Sequence, residues 1–225
     1  MPQQRSDFLK NNTLSAAKEL ILELFGNRHV PFVYEKRDGE IVITGYKDSL
    51  LPKINIPGEL HGKPVTKIDT RAFHGCKFLE EVHVSDGVKI IAPNAFSACE
   101  RLSKIYIAGS VDKIGRNVFF ECENLFCAEL ESGIREIESR AFFGCTGLRD
   151  INLPDSIESI GDQAFYGCKK LKSIHIPLSL TALPRSAFDG CISLDAIFVE
   201  RGSPADRILS DSEHYAKKLR YIPRI

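Results

Sequence analysis

The sequence predicts an α/β solenoid, a chain wound into stacked repeats with a parallel β-sheet along one face and short helical or 3₁₀ turns opposite. Three observations carry that reading. Six of the seven cysteines, Cys76, Cys99, Cys122, Cys145, Cys168 and Cys191, recur at 23-residue intervals. Each interval contains an alternating segment such as Ser173-Ile174-His175-Ile176, the two-residue period of a half-buried strand. Each also holds a set such as Ala164, Phe165 and Cys168 at i, i+1 and i+4, which gathers side chains on one side of a helical turn.

Aligned at this period, the chain reads RAFHGCKFLEEVHV, NAFSACERLSKIYI, NVFFECENLFCAEL, RAFFGCTGLRDINL, QAFYGCKKLKSIHI and SAFDGCISLDAIFV. A period of roughly 20 to 29 residues with leucine at fixed offsets is the signature of a leucine-rich-repeat solenoid. One unit cannot bury its apolar face alone, so neighbours stack about 4.8 Å apart and share a core. With an opening unit before the six, the expectation is one parallel sheet of about seven strands. Thr70, Ser139 and Asp162 stand where they could cap the turns.

Stacking gives the cysteines a role. A zinc site needs clustered ligands, whereas these come one per unit and only Cys122 and Cys127 are close in sequence. Disulfides between stacked neighbours would have acceptable Cα spacing but ill-matched, parallel Cβ vectors. A catalytic thiol needs an electropositive, partly exposed place. The reading adopted is a column of buried free thiols acting as small hydrophobes.

The pattern I-G-x-x-A-F-x-G-C-x-x-L-x-x-I-x-I-P, met nearly in full by Ile160 to Pro177, closely resembles the BspA-type leucine-rich repeat. ITGYKDSLLPKINIPGELHGKPVTKI resembles that family's degenerate first unit, and VERGSPADRIL its usual exit. The resemblance implies a bacterial or protozoan protein with a right-handed, gently curved solenoid. It also implies a cell-surface or secreted location and a role in adhesion, recognising protein or glycan. Some units depart from the pattern: Ala98 and Glu121 replace the glycine before the cysteine, Val118 replaces the alanine, and Ala92, Glu138 and Pro184 replace the glycine after the isoleucine.

Residues 1–39 are expected to form an N-terminal helix and hairpin cap, 40–200 the solenoid, and 201–225 a C-terminal helical cap and tail. Leu14, Ala17, Leu20, Ile21 and Leu24 share one helical face, with Asn12 or Thr13 as cap and Gly26 as stop. That helix either covers the end of the core or binds a partner. PFVYEKRDGEIVITGY alternates around Asp38-Gly39, a hairpin turn signal. ADRILSDSEHYAKKLRYIPRI reads as a closing helix and short tail.

Thirty basic residues balance thirty acidic ones, so no global field draws the chain to nucleic acid or an anionic membrane. No stretch approaches the roughly 18 apolar residues of a membrane span. The beginning of the sequence carries no signal-peptide pattern, so a cytoplasmic location is the default. There is no phosphate-cradling glycine loop, no G-x-S-x-G and no H-E-x-x-H, and the six histidines are scattered, so an enzyme is not expected, nor any cofactor or metal.

Recognition has a better address. In each strand the residue between the last two core positions faces outward on the sheet, which lines the concave side in leucine-rich repeats. That column runs Asn55, His83, Tyr106, Glu129, Asn152, His175, Phe198, and its neighbour includes Lys104 and Asp150. Tyr106 and Phe198 are read as exposed aromatic anchors. The expected function is a monomeric, noncatalytic solenoid binding protein or glycan, with an intracellular protein-interaction scaffold as the alternative.

Overall fold

The computed structural model describes residues 31–47 and 51–222. The expected helix over residues 13–25 lies outside them. Val33–Ile225 forms a compact unit of its own. It opens with β1 (Phe32–Arg37) and β2 (Glu40–Tyr46), which turn at Asp38 and Gly39. Both turn residues have positive φ, 50° and 86°, as a two-residue type I′ hairpin requires.

From β2 the chain begins to coil. The outward-facing strands are β3 (Lys53–Ile56), β6 (Glu81–Val84), β8 (Lys104–Ile107), β10 (Cys127–Leu130), β12 (Asp150–Asn152), β14 (Ser173–His175) and β15 (Ala196–Glu200). Parallel pairing in the order β12-β10-β8-β6-β3 makes a five-stranded sheet, while β14 and β15 belong to a separate three-stranded one. The single seven-stranded sheet expected from the repeat is therefore divided between the fourth and fifth units. Ile151 of β12 is only half-buried where the matching Val82, Ile105, Ala128 and Ile174 are buried, so the inward column loosens at the same place.

All but the last unit carry a second strand; before the sixth, Ala182 makes only an isolated bridge to Ser159. β5 (Lys63–Ile68) pairs antiparallel with β4 (Glu59–Leu60) and parallel with β2. It is followed by the two-residue strands β7 (Ile90–Ile91), β9 (Lys113–Ile114), β11 (Glu136–Ile137) and β13 (Ser159–Ile160). Together they form an eight-stranded sheet along another wall of the coil.

The Ala-Phe-x-x-Cys segment is a pair of successive turns. Bonds of 3₁₀ type close them, as Ala72 N to Asp69 O at 3.2 Å and Cys76 N to Phe73 O at 3.2 Å. Alternate N–H groups leave the turn for the next unit, as Phe142 N to Ala164 O and Gly144 N to Tyr166 O, both 2.8 Å. Left-handed residues redirect the backbone in this way: Arg71, Asn94, Asn117, Arg140 and Gln163 before the alanine or, in the third unit, Val118, and Gly75, Gly144, Gly167 and Gly190 before the cysteine. Ala98 and Glu121 hold φ of 55° and 57° at that last position, so they accept strain that glycine avoids. The sixth unit lacks the first left-handed residue and closes as a true 3₁₀ turn, Arg185–Phe188, after Pro184. The foreseen caps do not form as such. Asp162 instead accepts from Ser186 Oγ in the next unit, and Thr70 N donates to Asp69 Oδ1 at 2.9 Å.

Inside the coil, Phe73, Phe96, Phe119, Phe142, Phe165 and Phe188 are almost wholly buried and stack at 4.8–5.7 Å between centroids. Tyr46 meets one end of this ladder at 5.5 Å and Tyr215 the other, edge-on, at 6.3 Å. The chain closes with α1 (Pro204–Ser210), α2 (Glu213–Ala216) and β16 (Leu219–Ile222), which pairs parallel with β15. The expected tail is thus partly a strand, with buried Leu219 anchoring it to the core.

Candidate functional site

The outward column is built by strand register alone. Asn55 pairs with His83, His83 with Tyr106, Tyr106 with Glu129 and Glu129 with Asn152. Beside it run Glu81, Lys104, Cys127 and Asp150 in the same register. His175 pairs with Phe198 across the three-stranded sheet, and Phe198 with Arg220 beyond it. The structure therefore gathers His83, Tyr106, Glu129, Asn152, Lys104 and Asp150 on one sheet, with His175 and Phe198 on the other.

At the first of these places the side chains are fixed by one another. The rings of His83 and Tyr106 stack 4.3 Å apart at 20°. His83 Nδ1 lies 3.1 Å from Asn55 Oδ1, which also accepts from Ser85 Oγ at 2.8 Å. The Tyr106 hydroxyl donates to the Glu131 carboxylate, whose other oxygen accepts from Gly109 N at 3.2 Å. Burial depresses the His83 pKa against the opposing pull of Glu131, Asp86, Glu129 and Glu81. Burial first, and the bond to Glu131 second, push the Tyr106 phenol up.

Two corrections follow. Tyr106 and Phe198 are half-buried rather than exposed, because each is flanked in register by another side chain. Glu131 and Ser85 belong to the Tyr106 cluster but lie one residue beyond their strands, outside the column that the strand period defines. The more exposed apolar side chains stand elsewhere, among them Ile192, Leu178, Phe78 and Phe126. A second, partly exposed ladder of Phe120, Phe143 and Tyr166, with centroids 5.1 and 4.7 Å apart, lines the turn wall.

All seven cysteines are free; Cys76 and Cys127 are half-buried and the other five buried. Burial pushes the thiols of Cys145 and Cys168 up, away from the reactive thiolate. Among the described residues no group of three or more His, Cys, Asp or Glu is placed to hold a metal. No helix among them is long and apolar enough to cross a membrane.

Parallel strands at a fixed period, a repeated leucine and an outward column of changing residues define a leucine-rich-repeat solenoid. The chain belongs to the BspA-type leucine-rich repeat family, whose model matches residues 41–149 and 127–205 with six copies. A leucine-rich repeat protein from Bacteroides ovatus is similar in structure, with a TM-score of 0.67 and 31% identity over 76% of this chain and 46% of its own. The leucine-rich repeat protein of T. pallidum gives a TM-score of 0.52 and 27% identity, covering 75% of this chain and 69% of its own. The pneumococcal vaccine antigen PcpA shares the fold at 17% identity and a TM-score of 0.52, over 85% of this chain and 48% of its own. The chain thus spans less than half the length of the Bacteroides protein and of PcpA. No curated protein matches it. Repeats of this family generally serve protein interaction or adhesion.

Proposed function

We propose that the chain is a noncatalytic, adhesin-like recognition module that binds an extended protein or glycan partner, as a monomer, along the outward strand face. The observation that supports this reading is the Tyr106 cluster. An aromatic ring held by a stack on His83 and by its hydroxyl on Glu131 loses little rotamer freedom when a partner arrives. Around it the column changes residue from unit to unit while the backbone register stays constant, which lets a partner be read position by position.

The test begins with an array of purified proteins and glycans probed with the labelled chain. For a captured partner, Tyr106→Ala and Phe198→Ala should each weaken binding by about 1 to 3 kcal/mol in calorimetry. Their strands are four units apart, roughly 19 Å at one strand spacing per unit, so a partner sensitive to both must be extended. Wild-type affinity in the double variant would move the site off this face.

A further inference from the structure

At the flank of the strand face, where the fourth unit has Gly147, a depression of ≈ 330 Å³ opens between three successive units. Its wall is made by Asn124, Phe126, Arg149 and Lys170. Gly147 is what leaves the space. The corresponding residues of other units are Phe78, Arg101, Asn124, Lys170 and Ser193, and a Cβ here would stand 2.6 Å from Glu123 O. The volume is at the lower end of the roughly 300–1,000 Å³ of small-molecule sites, room for a sugar ring and its substituents rather than a folded element.

The wall brings two cations, a ring and an amide together. Some cations of the coil are neutralised by a neighbouring unit: Lys53 with Glu81 at 2.6 Å, Arg101 with Glu80 at 3.0 Å, Lys113 with Glu136 at 2.7 Å. Arg149 and Lys170 have no ion pair among the described residues, although the chain's formal net charge is zero and Glu123 and Asp150 are close in sequence to the depression. Phe126 is 37% exposed, and Lys104 Nζ lies 5.6 Å from its ring centroid. Asn124 is held by its Nδ2 on Glu100 O at 2.7 Å, which leaves its carbonyl oxygen as an acceptor.

The geometry points to a subsite for an anionic pyranose, a sugar ring carrying a carboxylate or sulfate. Arg149 and Lys170 take the anionic group by charge-assisted hydrogen bonds, the Phe126 ring packs against the C–H face of the sugar, and Asn124 accepts from a ring hydroxyl. A peptide fits the wall less well. Main-chain recognition needs free backbone donors, and here Gly147 N is bonded to Glu123 O at 2.8 Å, while Arg149 N and Asp150 N are bonded to Phe126 O at 3.1 and 3.2 Å. What remains is the face of the Phe126 ring turned away from Lys104, two cations and an amide oxygen. The subsite includes neither Tyr106 nor Phe198, so it stands or falls separately from recognition on the column.

Calorimetric titration of the intact protein at low salt with a galacturonate trimer, a sulfated galactose trimer, neutral galactotriose and hexaglutamate tests the assignment. At least one anionic trimer should bind, with the other arm telling carboxylate from sulfate, and neutral galactotriose and hexaglutamate should each bind about tenfold more weakly or not at all. Arg149→Gln and Phe126→Ala, both at exposed positions, should each weaken the anionic trimer by about tenfold, while Ile90→Ala, at an exposed position on the other sheet, leaves it unchanged. The assignment is overturned if neither anionic trimer binds, if galactotriose or hexaglutamate matches them, or if the Phe126→Ala protein keeps wild-type affinity.

Discussion

The cysteine column shows what a single position contributes to a repeat. Cys99, Cys122, Cys145 and Cys191 each place Sγ 3.1 Å from the carbonyl of the phenylalanine 26 residues earlier, and Cys168 does so at 3.3 Å. The thiol is therefore more than volume; it is a weak donor that ties one unit to the previous one. This bond bears on substitution. Phe119 O accepts both Cys122 N at 3.1 Å and the Cys145 thiol, so serine at 145 finds the same acceptor, with a shorter side chain that leaves a small gap. Cys145→Ser should cost about 1 kcal/mol in urea unfolding, the low end for burying a hydroxyl in an apolar layer. Thiol titration of the native protein should reach at most Cys76 and Cys127, and all seven only after denaturation. Burial of this column was legible from the 23-residue spacing; the donor role was not, because the accepting carbonyl belongs to the backbone of another unit.

Among the elements, those that the sequence disclosed are the ones with enough residues to show a period. Strands such as Lys104–Ile107 alternate over four positions, and their register follows from the repeat, so the outward column could be written down residue by residue. The repeating part of the second sheet stayed hidden because β7, β9, β11 and β13 are two residues long, with one buried isoleucine each, Ile91, Ile114, Ile137 and Ile160. The depression beside Phe126 was equally illegible: a missing side chain makes it, and its walls come from three units. The closing element depends on a carboxylate. Asp206, largely buried in α1, accepts from Gly202 N at 2.8 Å, Ser210 Oγ at 2.9 Å and Tyr221 Oη at 3.1 Å, while its own N–H is capped by Ser203 Oγ. Burial alone would raise its pKa, but these bonds, with Arg201 nearby, hold it below the usual aspartate value. A depressed folded pKa contributes stability above the unfolded value near 4, and that contribution is lost as pH falls through the folded value. Asp206→Asn should therefore cost about 1 kcal/mol at neutral pH and progressively less below about pH 4, as followed by thermal melts at several pH values. A cost that stays constant down to pH 2 would show that the charge contributes nothing.

For the molecule as a whole, stability is a sum over stacked neighbours, because each unit bonds chiefly to the one before and the one after. The phenylalanine ladder runs through these interfaces from Tyr46 to Tyr215, so an interruption in its middle acts on both halves. Phe119 is fully buried, 5.7 Å from the Phe96 ring and 5.1 Å from that of Phe142. Truncation there removes two stacking contacts and leaves a cavity that the fixed 23-residue walls, hydrogen-bonded on every side, cannot close. Phe119→Ala should cost about 3 to 5 kcal/mol in equilibrium unfolding. The distribution of that loss is the more informative quantity. If coupling runs from unit to unit, hydrogen exchange should quicken most at the amides that bridge the second, third and fourth units, such as Phe96 N, Phe119 N and Glu121 N, and less at Gly167 N and Ile197 N towards the far end. Equal loss of protection along the whole coil would mean that it unfolds as one cooperative block, with the helical cap at its end as much a part of the core as the repeats themselves.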